Sequence, residues 1–180
     1  EIMNVVPDFV MLTDRGAARA ADRFRSFGGD KVLNPEKIVV VFDHHFPAIR
    51  ERDAQAQSKV RNWIKEQRIS HFFPGQGIGH LIMPDKGFAV PGGMIFGTDS
   101  HTTTNSAVGS FSSGMGHSDV GSFLATGHFW LRVPEVLRFH LKGRLGPSVS
   151  AKDIILFILG TYGEDAATYM GVEFCGPTID

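Results

Sequence analysis

The stretch "KIVVVFDHH", residues 37 to 45, decides the fold class. Its apolar part, "IVVVF", is almost entirely β-branched, which is typical of a strand buried on both faces of a parallel sheet. The run then stops on an aspartate and two histidines, Asp43 to His45. A strand of this kind needs helices packed on its two faces, so the sequence predicts an α/β protein.

Segments on both sides of this strand alternate between strand and helix patterns. Strands are predicted at "DFVML", "ISHFF", "GMIFG" and "EVLRFHLKGR", and an extended segment at "HLIMP". Helices are predicted around residues 17–24 and 56–64 and from about Asp119 onward. A further helix is predicted at "IILFILG", after the Ser150/Asp153 capping box. This order favours a layered, mostly parallel sheet flanked by helices. Pro134 is the best internal boundary, giving one domain over 1–134 and the beginning of a second α/β domain, incomplete, over 135–180.

Composition excludes several classes of protein. Hydrophobic content of 42% and charged content of 21% are ordinary for a globular chain. The net charge is −1 without a Lys/Arg run, so a nucleic-acid or anionic-membrane partner has no electrostatic support. One cysteine excludes an internal disulfide framework, and no apolar run reaches the ~18 residues of a membrane span. We expect a cytoplasmic protein, although an organellar protein with its transit peptide removed would look the same.

Three polar clusters follow predicted strands or loops: Asp43–His44, His80 after the glycine loop "GQGIG", and Asp99–Ser100–His101. Open α/β sheets bind ligands beyond the carboxyl ends of their strands, so we expect the two Asp/His clusters to converge. Two of these clusters also have a structural interpretation. Asp43–His44 is equally consistent with a hydrogen-bonded pair at a strand end, and His80 by itself fits a structural histidine better than a functional one.

The residue types narrow the chemistry. Three consecutive residues cannot form a Ser–His–Asp relay, and no G-x-S-x-G elbow is present, which argues against a serine hydrolase. In an extended segment Asp99 and His101 would share a face and Ser100 would point away. No H-E-x-x-H or C-x-x-C spacing and no dinucleotide fingerprint occurs. The residues alone therefore predict an Asp/His-rich site for a small anion.

The same residues carry a family resemblance. "GTDSHTTTNSAVGSFSSGMGHSDVGSFLATGHFWLRVPE" resembles the signature region of the aconitase superfamily. "KIVVVFDHHFPA", "HFFPGQGIGH", "SAKDIILFILG" and "DAATYMGVEFCG" resemble its other blocks, in the family's order. The spacing is most similar to large subunits of the 3-isopropylmalate dehydratase and homoaconitase branch, and the resemblance covers essentially the whole chain.

The resemblance implies an aconitase-like first domain and a [4Fe–4S]-dependent hydro-lyase of amino-acid biosynthesis, which reversibly dehydrates a hydroxy di- or tricarboxylic acid. It implies catalytic roles for Asp43, His44, His80, Asp99, His101 and Glu173, and substrate contacts for Ser100 and Thr102. In that interpretation His101 and the Asp43–His44 pair deliver a proton to the departing hydroxyl, and Asp99 orients His80.

The chain departs from the family in its cysteines. Members ligate the cluster with three cysteines, and Cys175 does not match a ligand position, so we expect no metal ligand in this chain. The amide and hydroxyl residues usual near Thr13–Gly16 are also replaced. We expect an incomplete, inactive part of an enzyme whose small subunit or C-terminal domains complete the site. The alternative is a cluster-free, non-catalytic truncated homologue that binds or assembles. The substrate, 3-isopropylmalate-like or homocitrate-like, stays open.

Overall fold

The computed structural model describes residues 1–179. The strands are β1 (Ile2–Val5), β2 (Phe9–Thr13), β3 (Ile38–Phe42), β4 (His71–Pro74), β5 (Met94–Gly97), β6 (Phe111–Gly114), β7 (Phe129–Arg132), β8 (Glu135–His140) and β9 (Met170–Cys175). The helices are α1 (Asp14–Ser26), α2 (Glu51–Gln67), α3 (Gly79–Asp85), α4 (His117–Thr126) and α5 (Ala151–Tyr162), and 3-10 helices span Pro35–Lys37 and Ser100–Val108. No helix within this range is long and apolar enough to cross a membrane.

Five parallel strands form the central sheet, in the order β4-β3-β2-β5-β6. In the register of β2, Leu12 lies opposite Val40 of β3, and Met11 lies opposite Gly97 of β5. All five residues of β3 are buried, as the unbroken apolar run predicts. The predicted α/β class with a mostly parallel sheet is confirmed.

Alternate residues of the central strands feed two separate cores. Leu12 and Val40 pack in a cluster with residues of α1, α2 and α4, whereas Met11, Val39 and Val41 pack with α3 residues on the other face. Successive side chains of a strand point to opposite faces of the sheet, so one apolar run serves both layers. The sheet is therefore covered on both faces, and its strand ends are the edges left for a site.

Helix α1 begins directly after β2 and ends two residues before Gly28. Its buried stripe consists of small residues and one large one, Phe24, which is 1% exposed. Gly28 has a φ of 82°, a left-handed conformation that glycine adopts without steric cost. The predicted helix and its glycine stop are thus confirmed.

Replacing Phe24 with alanine is expected to lower the free energy of unfolding by about 3–5 kcal/mol, because it leaves a cavity in the larger core. Phe27, three residues later, is 55% exposed and provides a matched control. Phe27→Ala is expected to change stability by less than about 1 kcal/mol. Chemical denaturation of both variants checks this, and equal losses would contradict the assigned packing.

The chain folds into two compact units, one formed by Asn4–Leu131 and the other by Glu1–Met3 together with the residues from Arg132 onward. The second unit pairs β8 with β9 in parallel across α5, with Glu135 opposite Met170. The Ser150/Asp153 capping box predicted before α5 is present. The assignment of 1–134 and 135–180 as domains of the family fold stays a prediction.

Two segments predicted to be extended are helical. "HLIMP" lies in α3, where Ile82 and Met83 are buried side by side while Leu81 is 56% exposed, a pattern of one helix face rather than strand alternation. Ser100 to Val108 forms a 3-10 helix, so the expected alternation of Asp99, Ser100 and His101 is wrong. The cause is local capping, because the Asp99 carboxylate accepts the backbone N–H of His101.

Other differences concern element ends and short strands. Helix α4 begins at His117 with Gly116 as its N-cap, two residues before the predicted start. The strands β1, β6, β7 and β9 were not predicted. Three of them, β1, β6 ("FSSG") and β7, are four residues long and lack the apolar alternation that identifies a strand, whereas β9, "MGVEFC", does alternate and was missed.

Candidate active site

Asp43 is fixed at the carboxyl end of β3 by two hydrogen bonds. Its Oδ2 accepts the backbone N–H of Gly79, the first residue of α3, at 2.7 Å. Its Oδ1 lies 2.7 Å from Nδ1 of His44. A Cβ at position 79 would lie 3.2 Å from the Asp43 carboxylate, so the glycine leaves room for this contact. The side chain of Asp43 is 8% exposed and therefore a rigid partner for the imidazole.

Asp99 follows β5 and accepts hydrogen bonds from three sides. Its Oδ1 accepts the N–H of His101 at 2.7 Å and lies 3.0 Å from Nε2 of His80, and its Oδ2 lies 2.9 Å from Nε2 of His44. Burial by itself would raise the pKa of Asp99. The His101 N–H, the His44 hydrogen bond and the charge of His80 outweigh it and hold the pKa below its ordinary value. Asp99 is therefore the shared anion of the cluster.

His44 lies between two carboxylates, with Nδ1 on Asp43 and Nε2 on Asp99. Burial opposes its charge, but the hydrogen bonds and charges of Asp43 and then of Asp99 prevail and raise its pKa above the ordinary value. Both ring nitrogens face acceptors, so the protonated ring can donate two hydrogen bonds. The ring is 41% exposed and accessible to a ligand. It is therefore the candidate proton donor of the cluster.

His80 is the buried member of the cluster. Its ring is 13% exposed, Nε2 lies on Asp99, and Nδ1 is buried with no hydrogen-bond partner within the described residues. When Nε2 carries the proton that Asp99 accepts, Nδ1 holds the free lone pair. Leaving a buried nitrogen without a hydrogen-bond partner costs free energy unless a ligand or another group donates to it. An unpaired ring nitrogen of this kind is unusual for a purely structural histidine.

His101, Ser100 and Thr102 lie on the 3-10 helix after Asp99. The His101 ring is 79% exposed, and its Nδ1 lies 3.4 Å from Oδ1 of Asp99 and 3.3 Å from the hydroxyl of Ser100. Thr102 is fully buried and donates its hydroxyl proton to the Asp99 carbonyl at 2.6 Å. Thr102 thus anchors the backbone of Asp99. The substrate contacts assigned to Ser100 and Thr102 stay predictions.

Glu173, the sixth predicted catalytic residue, belongs to the second unit. It lies in β9 and pairs with Arg138 of β8, with Nε to Oε2 at 2.9 Å. The structure brings the other five catalytic candidates together around Asp99. The role of Glu173 stays a prediction.

Four residues that sequence reasoning did not assign shape the cluster. Asp14, 1% exposed, accepts the backbone N–H of His45 at 2.7 Å and holds the chain after Asp43–His44. Thr98 accepts the N–H of Thr13 at 3.2 Å. A Cβ at Gly114 would lie 2.8 Å from the carbonyl oxygen of Asp99. A Cβ at Gly97 would lie 2.9 Å from the carbonyl oxygen of Met11.

The sequence patterns around these four residues only weakly indicated a role at the site. An aspartate at a helix start is common for local reasons, and a glycine in a strand only hints at a close backbone approach.

The free energy of unfolding of the unit that contains His44, Asn4–Leu131, is expected to depend on pH through this histidine. Its folded pKa is raised, so its contribution to the free energy of unfolding is complete below its unfolded pKa, about 6.5. That contribution is lost as the pH rises through the raised folded value. The stability difference between wild type and His44→Gln should shrink with rising pH, as denaturation at several pH values would measure. A difference that is constant or grows would contradict the double carboxylate contact.

Comparison with known proteins identifies the family. The sequence model of the aconitase family (aconitate hydratase) matches residues 1–180. The chain belongs to the aconitase family. The resemblance found in the Asp99–His101 region and its companion blocks is thereby confirmed.

Curated relatives within the family point to one branch. A protein described as a probable 3-isopropylmalate dehydratase large subunit, from Methanothermobacter thermautotrophicus, is 44% identical over 180 residues, 99% of this chain and 43% of the relative. The 3-isopropylmalate dehydratase large subunit of Aquifex aeolicus is 41% identical over 180 residues, 99% of this chain and 42% of that protein. A probable methanogen homoaconitase large subunit from Methanosarcina mazei is 40% identical over 173 residues, 96% and 44% of the two chains. The chain spans less than half the length of these relatives.

The residues present do not supply the ligands of the iron–sulfur cluster that the family implies. Such clusters are held by cysteine thiolates, and the sequence has one cysteine. The Cys175 sulfur lies 3.7 Å from the carbonyl oxygen of Phe139. Among residues 1–179, no group of three His, Cys, Asp or Glu side chains is arranged to hold a metal ion.

Proposed function

We propose that the chain supplies the acid–base part of the active site of an aconitase-type hydro-lyase. The observation that carries the proposal is His44, held at both ring nitrogens by Asp43 and Asp99 while its ring stays accessible. An imidazolium with a raised pKa and a fixed orientation suits the protonation of a leaving hydroxyl group.

Dehydration of a hydroxy acid requires two proton movements. One proton is added to the hydroxyl, which leaves as water, and another is removed from the neighbouring carbon as the double bond forms. In our proposal His44 delivers the first proton. Asp43 keeps Nδ1 in place, and the substrate hydroxyl takes the position at Nε2 that Asp99 occupies here. The reverse step, hydration, returns the proton to His44.

Asp99 has a positioning role for His80 in this scheme. Its Oδ1 holds Nε2 of His80, which leaves the buried Nδ1 as the only acceptor on that ring. His101 faces outward and is exposed enough to contact a substrate or the rest of the enzyme. The residue that removes the carbon-bound proton is not assigned to this chain.

The names of the relatives support the substrate class. They indicate hydroxy di- or tricarboxylic acids of the 3-isopropylmalate or homocitrate type, within amino-acid biosynthesis. Because these relatives are large subunits, we propose that a small subunit and sequence beyond these 180 residues complete the site. The cysteines that ligate the cluster would belong to that further sequence.

A chimaera tests the proposal. The chain replaces the matching 43% of the Methanothermobacter relative, to which it is 44% identical. The purified chimaera is assayed with its small subunit for formation of the unsaturated acid, which absorbs in the ultraviolet. Turnover that disappears with His44→Gln supports the proposal. A folded chimaera that binds substrate but shows no turnover in any preparation favours the non-catalytic alternative.

A further inference from the structure

A concave surface lies between helices α1 and α4, and none of its lining residues belongs to the Asp43–Asp99 cluster. Its volume is about 620 Å³, and it is lined by Arg19, Asp22, Arg23, Ser26 and His117. We call it the α1/α4 crevice. Three of its five side chains are cationic or can become so, and a fourth is a hydroxyl. The composition is that of a surface suited to negatively charged oxygen atoms.

Helix geometry explains why these residues meet. Arg19 and Arg23 are four residues apart on α1, so their side chains emerge next to each other. On α4, His117 and Gly121 have the same spacing and share a face. A Cβ at Gly121 would lie 2.7 Å from Cβ of Arg23, so the glycine lets the two helices approach closely. His117 is therefore brought to the arginines by the packing of α1 on α4.

The positive charge of the crevice is not neutralised within the described residues. Arg15 pairs with Asp53 and Arg25 with Glu66, but no carboxylate among residues 1–179 lies within 4.0 Å of the guanidinium of Arg19 or Arg23. The single acid of the crevice, Asp22, already pairs with Nζ of Lys59 at 2.5 Å.

The pKa of His117 responds to this positive charge as well as to burial. Burial, then the charges of Arg19 and Arg23, lower its pKa below the ordinary value. Across the crevice it meets Arg19, Arg23 and the paired Asp22 of α1, while Asp119 lies two residues further along its own helix, in the first turn. An anion seated between the arginines would reverse their effect and favour the protonated ring, so binding and protonation should be linked.

We propose that the α1/α4 crevice is a binding site for a small oxyanion with two or more negative charges, either a phosphate ester or a polycarboxylate. Arginine presents several N–H donors in a fixed plane, which matches both kinds of oxyanion. The site does not depend on the proposed hydro-lyase activity, because it shares no residue with the Asp43–Asp99 cluster.

Calorimetric titration of the full chain with pyrophosphate and with citrate, at fixed ionic strength, tests the site. Arg19→Gln and Arg23→Gln are each expected to weaken binding about tenfold, the effect of one charge-assisted contact. Affinity for wild type should rise from pH 7.5 to pH 6, and His117→Gln should remove that rise. Arg25→Gln, on the same helix but paired with Glu66, is the matched control and should change affinity by less than about twofold.

The outcomes separate the interpretations. Tighter binding of pyrophosphate assigns the crevice to phosphate esters, and tighter binding of citrate assigns it to polycarboxylates. Because citrate also resembles the proposed substrate class, the titration is repeated with His44→Gln, which should bind citrate in the crevice unchanged. Equal losses in Arg25→Gln and Arg23→Gln, or no binding at millimolar anion, would overturn the proposal. Loss of binding in His44→Gln alone would assign the anion to the other cluster.

Discussion

Replacement of Asp99 by asparagine is expected to reduce turnover of the complete enzyme by about 100- to 10,000-fold. The asparagine keeps the volume and one carbonyl oxygen. If that oxygen keeps the contacts with His80 and the N–H of His101, the new amide NH₂ replaces the oxygen that faces Nε2 of His44. A donor would then face a donor before substrate binds, so the free enzyme would hold less of the protonated His44 that must be present when substrate replaces Asp99 at Nε2.

The measurement is steady-state turnover at several pH values, together with substrate affinity. Glu66→Gln makes the same chemical change in an exposed ion pair with Arg25 and should leave turnover within about twofold. Turnover of Asp99→Asn within about threefold of wild type would remove Asp99 from the acid–base machinery, whatever the stability of the variant.

Replacement of His44 by glutamine is expected to have an effect of similar size and a different signature. Glutamine can hydrogen-bond but cannot deliver a proton, so kcat should fall by about 100- to 10,000-fold while KM changes little. The limb of the pH–rate profile that reports the acid should also disappear. Since His44 is 41% exposed, the variant should fold, which circular dichroism checks.

Added imidazole offers a second test of His44. Partial recovery of turnover in His44→Gln, or better in His44→Gly, would indicate that a missing proton donor limits the reaction. An unchanged pH profile in the glutamine variant would assign the acid to another residue, with His101 the first candidate because of its exposure.

The parts of the fold that sequence reasoning recovered are those in which burial alone dictates the residues. The apolar run of β3 has no other stable location than the middle of a covered sheet, and the alanine stripe of α1 fits one helix face. The capping box of α5 was predictable because its two hydrogen bonds are local. The strand β6 was not, since "FSSG" is held by its neighbour β5 and not by its own pattern.

Five of the six predicted catalytic residues lie together in the structure, but the contacts between them could be predicted only in part. Parallel strand topology sends Asp43–His44 and Asp99 to one edge of the sheet, which is why the convergence could be foreseen. The contact of Asp99 with His80 agrees with what the family resemblance implies, whereas the contact of His44 with both carboxylates depends on side-chain distances that no sequence pattern encodes. The α1/α4 crevice was not predicted from the sequence for a related reason. Its cations lie four residues apart on one helix and at the start of another, so no basic run marks them.

The strand β2 lies between β3 and β5, so the loops that carry His44 and Asp99 belong to strands with no backbone hydrogen bonds to each other. The His44–Asp99 hydrogen bond thus connects these two loops across the end of β2. A ligand that binds Nε2 of His44 breaks this connection. The Nε2 proton of His44 can therefore either stabilise the contact between the two loops or be donated to a ligand, but not both at once. We expect the loops at this edge of the sheet to become more mobile when a ligand accepts that proton.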